Sequence, residues 1–267
     1  MIEVSDVFKY CYEKIKLKEG NNPYLNKDYF LIISCYALRQ GLSMESNQFL
    51  GLIKFFRNEE FLDSLISGCF HCTPPEVYRL DKQEGVSDVF ESCGFSYREE
   101  RQDEPITLKI GDMEITDALS VTVHNRTEKD AWMHCWFSLR LPDDQAGLDK
   151  LKADIETMKS HFGASYAFIP APNLNPLISK LTELSEKPML CGEVEYSADK
   201  AKWGNLCKSL DYSTQREYRF LFGECSSSEK DYYIFNNPEG FEELILKNTE
   251  IQLSSKDGKQ VWFELSA

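Results

Sequence analysis

Trp132-Met133-His134-Cys135-Trp136-Phe137-Ser138-Leu139-Arg140-Leu141 is an apolar run that reads as a central strand or strand pair. The period then changes. Leu148, Leu151, Ile155 and Met158 recur at helical spacing, which predicts a helix from Asp144 through His161, closed by Gly163. Ala164 to Ile169 reads as a strand, and Asn175 to Leu184 as a second helix. Downstream, Gly192 to Tyr196, Glu217 to Phe222, Asp231 to Phe235, Glu250 to Leu253 and Val261 to Leu265 are all strand-like. Upstream, the short β-rich runs are Glu76 to Leu80, Thr107 to Ile110 and Ser120 to His124, with Gly111-Asp112 as a turn. Many strands interrupted by only two helices favour an α+β fold with a mostly antiparallel, split sheet. A doubly wound fold would alternate more regularly.

The first seventy residues have a different texture. Val7, Cys11, Ile15, then Phe30, Ile33, Ala37, then Phe49, Ile53, Phe56 recur at helical spacing, and the last pattern runs on through Phe61, Leu65 and Ile66. Breaks fall at Gly20-Asn21-Asn22-Pro23 and Gly41-Leu42-Ser43. A helical lobe is therefore expected over 1–73 and an α+β core over 74–267, divided at Thr73-Pro74-Pro75.

Of the 267 residues, 42% are hydrophobic and 13% aromatic, enough to build a core and to exclude a globally disordered chain. A net charge of −14 repels phosphate backbones and anionic lipid on average, so a nucleic-acid partner needs a local basic groove. The nine cysteines are an odd set without repeating spacing, which reads as reduced thiols in a cytosol. No hydrophobic stretch approaches the ~18 residues of a membrane span, and Met1 to Lys16 does not resemble a secretion signal. A cytoplasmic protein with no membrane partner is the expectation.

The densest polar cluster entering a strand is Lys208-Ser209-Leu210-Asp211-Tyr212-Ser213-Thr214-Gln215-Arg216-Glu217-Tyr218-Arg219-Phe220. Strand alternation puts Gln215, Glu217 and Arg219 on one face and Tyr218 and Phe220 on the other. Such a polar face is costly against an apolar core and fits the lining of a polar cleft. It also fits a solvated edge strand on which Arg219 or Arg216 neutralises Glu217.

The Tyr-x-x-Gln-x-Glu spacing of Tyr212, Gln215 and Glu217 resembles the catalytic turn of mono-ADP-ribosyltransferases, notably the pierisin group, and its Gln-x-Glu part resembles the Rho-modifying exoenzymes. The resemblance implies NAD as substrate. It also implies Glu217 as the carboxylate that holds the ribose and stabilises the oxocarbenium-like charge, with Gln215 contacting the acceptor. A fixed carboxylate in a dry cleft is most effective against a charge that develops only in the transition state. By the same resemblance, Arg79 takes the NAD phosphates, Ser138 supports Glu217, Tyr212 stacks on nicotinamide or an acceptor base, and Arg219 and Lys208 take phosphates or pair with acids. The family expects a Ser-Thr-Ser-like triplet, which this chain lacks, and Ser120 and Thr122 are rivals to Ser138. The implied biology is a bacterial toxin or anti-phage effector that modifies a protein or nucleic-acid acceptor, with an antitoxin protein as a candidate partner. The alternative is a non-catalytic nucleotide- or partner-binding module.

The stretch from about Trp132 to Phe220 also resembles a large uncharacterised bacterial family. The shared elements are His161-Phe162-Gly163, Gly192-x-Val194-x-Tyr196 and Lys208-x-x-x-Tyr212-x-x-Gln215-x-Glu217-Tyr218-Arg219. This resemblance implies a shared fold and cleft and says nothing of activity.

Other chemistry has weaker signals. Cys69-Phe70-His71-Cys72 has a zinc-knuckle spacing but no second ligand pair, so no metal is expected. Cys93 and Cys135, with His124, His134 or His161, are candidates for thiol catalysis, though aromatic surroundings favour an inert thiol. A carboxylate pair of Glu217 with Asp211 or Glu195 would suit a nuclease or glycosidase. Glycine-rich phosphate loops, the Gly-x-Ser-x-Gly elbow and the His-Glu-x-x-His helix are missing from the sequence. Finally, Glu84 to Glu91 is a candidate lid over a cleft beside Arg79.

Overall fold

The computed structural model describes residues 48–125, 127–254 and 261–267. The helical patterns at Val7 to Ile15 and Phe30 to Ala37 lie outside them. In chain order the elements are β1 (Gln48–Phe56), α1 (Glu59–Ile66), β2 (Cys69–Cys72), α2 (Pro75–Leu80), β3 (Phe95–Arg98), β4 (Leu108–Ile110), β5 (Met113–Ile115), β6 (Ser120–Val123) and β7 (Trp132–Leu141). They continue as α3 (Gln145–Phe162), β8 (Ser165–Pro170), α4 (Ala171–Leu184), β9 (Met189–Glu193), β10 (Glu195–Ser197), β11 (Cys207–Ser209), β12 (Glu217–Phe222), β13 (Tyr233–Asn236), β14 (Leu246–Lys247), β15 (Ile251–Ser254) and β16 (Val261–Leu265). The fold is α+β and mostly antiparallel, as the strand-rich pattern predicts.

Two predicted elements differ. The helical spacing of Phe49, Ile53 and Phe56 belongs to a strand, β1, paired antiparallel with β8 from Gly51↔Pro170 to Phe56↔Ser165. Both faces of β1 are largely buried, so its residues are apolar without alternation, and such a run cannot be told from a helix by period alone. Conversely, Glu76 to Leu80 is helical and not a strand. Pro75 occupies the first helical turn behind an extended Pro74, an arrangement that starts a helix.

The chain groups into two compact units drawn from separated stretches, and the expected boundary at Thr73-Pro74 falls inside the second. The first comprises 48–67, 138–178 and the described part of 240–267. Its strands run in the order β14-β8-β1-β7, and Leu52, Ile53, Tyr166 and Phe168 are wholly buried in it. Asp144 caps α3 by accepting from the Gly147 amide at 2.7 Å. Gly163 ends that helix at φ 96°, where a Cβ would stand 2.3 Å from the Phe56 carbonyl oxygen, so only glycine fits.

The second unit comprises 68–137 and 179–239, with β7, β12 and β9 as sheet neighbours. In it β12 is central, pairing with β7 from Glu217↔Phe137 to Phe222↔Trp132 and with β9 from Tyr218↔Glu193 to Phe222↔Met189. Its alternation separates two environments. Phe220 and Phe222 join Phe70 and Phe235 in an aromatic cluster with centroids 5.3–6.1 Å apart. Glu217 and Arg219 point the other way, into a buried ionic cluster. β12 is thus no solvated edge, and its polar face lies against charge instead of an open cleft.

Candidate functional site

Glu217 is placed by a local device. Leu210–Gln215 forms a 3₁₀ helix that Ser209 caps, and Arg216 then adopts the left-handed conformation (φ 42°, ψ 49°) before the chain straightens into β12. A non-glycine residue there costs roughly 1–2 kcal/mol, so surrounding contacts hold it. They are on either side of the first strand residue: the Glu217 amide donates to the Tyr196 hydroxyl at 2.8 Å, and the Val194 amide donates to the Glu217 carbonyl at 2.9 Å. This kink breaks the alternation predicted from Gln215 onward. Gln215 nevertheless meets Glu217, because Lys208 Nζ donates to Gln215 Oε1 at 3.1 Å and to Glu217 Oε1 at 2.9 Å.

Lys208 is the hub. Besides those two oxygens, its ammonium lies 3.1 Å from Glu91 Oε2, 3.3 Å from Asp88 Oδ2 and 4.4 Å from the centre of the Tyr212 ring. Arg219 completes the cluster. Its Nε donates to Glu217 Oε2 at 2.7 Å, and its Nη1 lies 2.8 Å from both Glu91 Oε1 and the Asn205 carbonyl. Its Nη2 is buried without a hydrogen-bond partner. Three carboxylates therefore face two cations, all at or below 7% exposure.

The electrostatics follow from that count. Burial pushes the Glu217 carboxyl up, but Arg219 and Lys208 outweigh it and hold the group well below the usual carboxylate range. The same competition holds Glu91 down. Asp88 goes the other way: burial and the neighbouring Glu91 raise it against the pull of Lys208. Burial, with Asp88 next, pushes the Tyr212 phenol up to about 12.

A second ionic cluster in this unit holds Arg79. Its guanidinium is fully buried and forms a two-bond fork with Asp130, Nη1 to Oδ2 and Nη2 to Oδ1, each 2.7 Å. Its Nε and Nη2 also donate to the Glu91 carbonyl at 2.9 and 2.7 Å, and Nη1 to the Ser227 carbonyl at 3.2 Å. Arg98 forks onto Glu76 at 2.6 Å through both Nε and Nη2. Every donor nitrogen of Arg79 is engaged, which leaves none for a cofactor phosphate.

Ser138 is buried and follows Phe137, the β7 partner of Glu217, so the pleat turns Ser138 to the opposite face of β7 from Phe137. The Glu217 carboxylate is held instead by Lys208 and Arg219. Of the rival residues, Thr122 accepts from Arg98 at 2.8 Å, within the Arg79 cluster, and Ser120 is exposed opposite Arg98 on β6. Tyr212 donates to the Ser87 carbonyl at 3.2 Å and Gln215 to the Gly85 carbonyl at 2.9 Å, so both residues hold the loop after α2. Asp88, Glu91, Glu76 and Asp130 have their shortest ion pairs with residues 22 or more positions away, which no local spacing names.

Among the described residues no group of three or more His, Cys, Asp or Glu is arranged to hold a metal ion. In β2 the pleat sends buried Cys72 and partly buried Cys69 to opposite faces. Burial pushes the Cys93 thiol up to about 11, away from a reactive thiolate. No described helix is long and apolar enough to cross a membrane. No family model, curated protein or solved structure matches the chain.

Proposed function

We propose that the Glu217 cluster is the reacting centre of an NAD-dependent mono-ADP-ribosyltransferase. The observation that carries this reading is the state of Glu217: a sheltered carboxylate kept ionised by Arg219 and Lys208 and fixed at the entry of a strand, with Gln215 beside it on the same lysine. Such a group supplies what glycosidic cleavage needs. As the bond from the ribose anomeric carbon to the nicotinamide nitrogen breaks, the electron pair leaves with nicotinamide and positive charge builds on the sugar. An anion already in place, with no water to reorganise, stabilises that charge. A lone pair of the acceptor then bonds to the anomeric carbon and the acceptor loses a proton. Arg79 has no part in this scheme, since its donors are spent on Asp130, Glu91 and Ser227. Among the described residues the unpartnered Nη2 of Arg219 is the one unspent donor of the cluster, and Lys208 can take a phosphate only in exchange for one of its present carboxylates. Modification of a protein or nucleic-acid acceptor by a bacterial toxin or anti-phage effector is the corresponding biological role.

A second reading has its own observation. Both oxygens of Glu217 already bind cations of the chain, as they would in a framework that only shapes a non-catalytic nucleotide- or partner-binding module. Incubation with NAD distinguishes the two. The transferase reading expects nicotinamide release and labelling of an acceptor by wild type, both abolished in Glu217→Gln with the fold retained. Equal labelling by both proteins refutes Glu217 as the reacting group. Stabilisation by NAD without nicotinamide release selects the module.

A further inference from the structure

The loop that follows α2 is acidic, and its carboxylate occupies a cation of the candidate site. Residues 82–84 are exposed, Gly85 takes a positive φ of 79°, and the chain then dives so that Asp88 is 4% exposed. Three side-chain contacts hold this stretch over the ionic cluster: Gln215 to the Gly85 carbonyl, Tyr212 to the Ser87 carbonyl, and Lys208 to Asp88. All three come from the segment that carries Glu217. The Asp88–Lys208 contact, at 3.3 Å, is the longest of the three ion pairs of that lysine. Beyond Asp88 the anchoring is of another kind. Arg79 donates to the Glu91 carbonyl and Ser96 Oγ to the Val89 carbonyl, both within the balanced Arg79 framework. At its start the loop leaves α2, and the Asp88 amide donates back to the Tyr78 carbonyl of that helix at 3.1 Å, so the loop is anchored at both ends and exposed between them at residues 82–84. The cluster it covers has one carboxylate more than it has cations, so release of Asp88 leaves two carboxylates on two cations and bares neither cation.

We infer that residues 82–88 are a displaceable lid, and that a phosphate or diphosphate group takes the place of the Asp88 carboxylate on Lys208. An incoming anion exchanges one charged partner of Lys208 for another, so the ammonium is never left buried and bare. Lifting the lid also frees Tyr212 and Gln215, whose present partners are lid carbonyls, for a ligand. The inference rests on the reading of the Glu217 cluster as a ligand-binding centre, but not on transfer chemistry.

The test uses the full chain with inorganic pyrophosphate as probe, with affinity measured by calorimetry and lid opening by amide hydrogen exchange over 83–88. In wild type, pyrophosphate speeds exchange in that segment. Asp88→Asn, which removes the competing anion, binds pyrophosphate roughly tenfold tighter. Tyr212→Phe, which cuts one tether at little cost to packing, exchanges several-fold faster there without any ligand. No pyrophosphate binding, equal affinity in wild type and Asp88→Asn, or lid exchange unmoved by either pyrophosphate or Tyr212→Phe overturns the lid. Nicotinamide release from NAD is read separately. Its absence with tight pyrophosphate binding and an opened lid removes the transferase reading and leaves the lid standing.

Discussion

Arg79 and Arg98 face Glu76 and Asp130 in one ionic cluster of the second unit; Lys208 and Arg219 face Asp88, Glu91 and Glu217 in the other. The first is balanced in charge and closed in hydrogen bonding, with forked arginine–carboxylate pairs and spare donors spent on backbone carbonyls. The second carries an extra carboxylate, an orphaned guanidinium nitrogen and an aspartate pushed toward its protonated form. Both clusters are buried, so burial does not distinguish them. What differs is whether the charges cancel. A balanced cluster is a framework that resists change, whereas one with a surplus carboxylate can give that carboxylate up without leaving a buried cation bare. Glu91 joins them, with its carbonyl on Arg79 and its carboxylate on Lys208 and Arg219.

The largest expected effect comes from breaking the balanced cluster. Asp130→Ala leaves Arg79 buried without its forked partner and is expected to cost about 3–5 kcal/mol in urea unfolding. Glu217→Gln, which brings the other cluster to charge balance, should cost clearly less. If the order is reversed, the assignment of framework to Arg79 and of binding centre to Glu217 collapses.

Charge balance also explains how much of this was legible in the sequence. The α+β class, β7, α3 with its Asp144 and Gly163 caps, and β12 follow from local pattern, because each residue's period or cap chemistry reports its own element. β1 is hidden because a strand buried on both faces has no alternation to read, and α2 because Val77 and Tyr78 favour strands by type while Pro75 sets the helix. At the site, the polar segment at 208–219 stood out by density, and the structure draws Lys208, Tyr212, Gln215, Glu217 and Arg219 into one cluster. Its loop partners did not stand out. Asp88 and Glu91 reach Lys208 across more than a hundred residues of chain, and an isolated acid in a loop looks the same whether it faces water or a buried ammonium. Arg79 fits a phosphate ligand by residue type and by its early place in the chain, and neither reveals that Asp130 already holds it.

The unbalanced cluster makes an intermediate prediction with a sign that depends on pH. Asp88 is raised by burial and by Glu91, so its contribution to stability is present below the ordinary aspartate value of about 3.9 and is lost as pH rises through its own folded value. The groups around it are Glu91 of the same loop, Lys208 of β11, and Tyr212 of the 3₁₀ helix. Asp88→Asn cannot ionise and escapes that loss. Relative to wild type it should match in acid and gain stability with rising pH, by on the order of 1 kcal/mol at neutrality. Thermal unfolding across pH reads this directly. An Asp88→Asn protein less stable than wild type at neutral pH would mean that the Lys208 contact outweighs the repulsion and that the cluster has no charge to spare.

The smallest effect belongs at the rim of the balanced cluster, where Arg101 donates to the Arg79 carbonyl at 3.0 Å and forks onto Asp103 at 2.6 and 2.8 Å. The Arg101 hydrogen bonds hold Asp103 below the usual carboxylate range against a smaller push from burial. This contribution is therefore present above the ordinary aspartate value and is lost as pH falls through the lowered one. Asp103 is about a quarter exposed (24%), so water screens the pair, and Asp103→Asn should cost less than about 1 kcal/mol at neutral pH and nothing in strong acid. A loss as large as that of Asp130→Ala would extend the framework out to Arg101. A small one confines it to the four charges of the interior, where cancellation of charge, and not the number of ion pairs, sets the cost of a change.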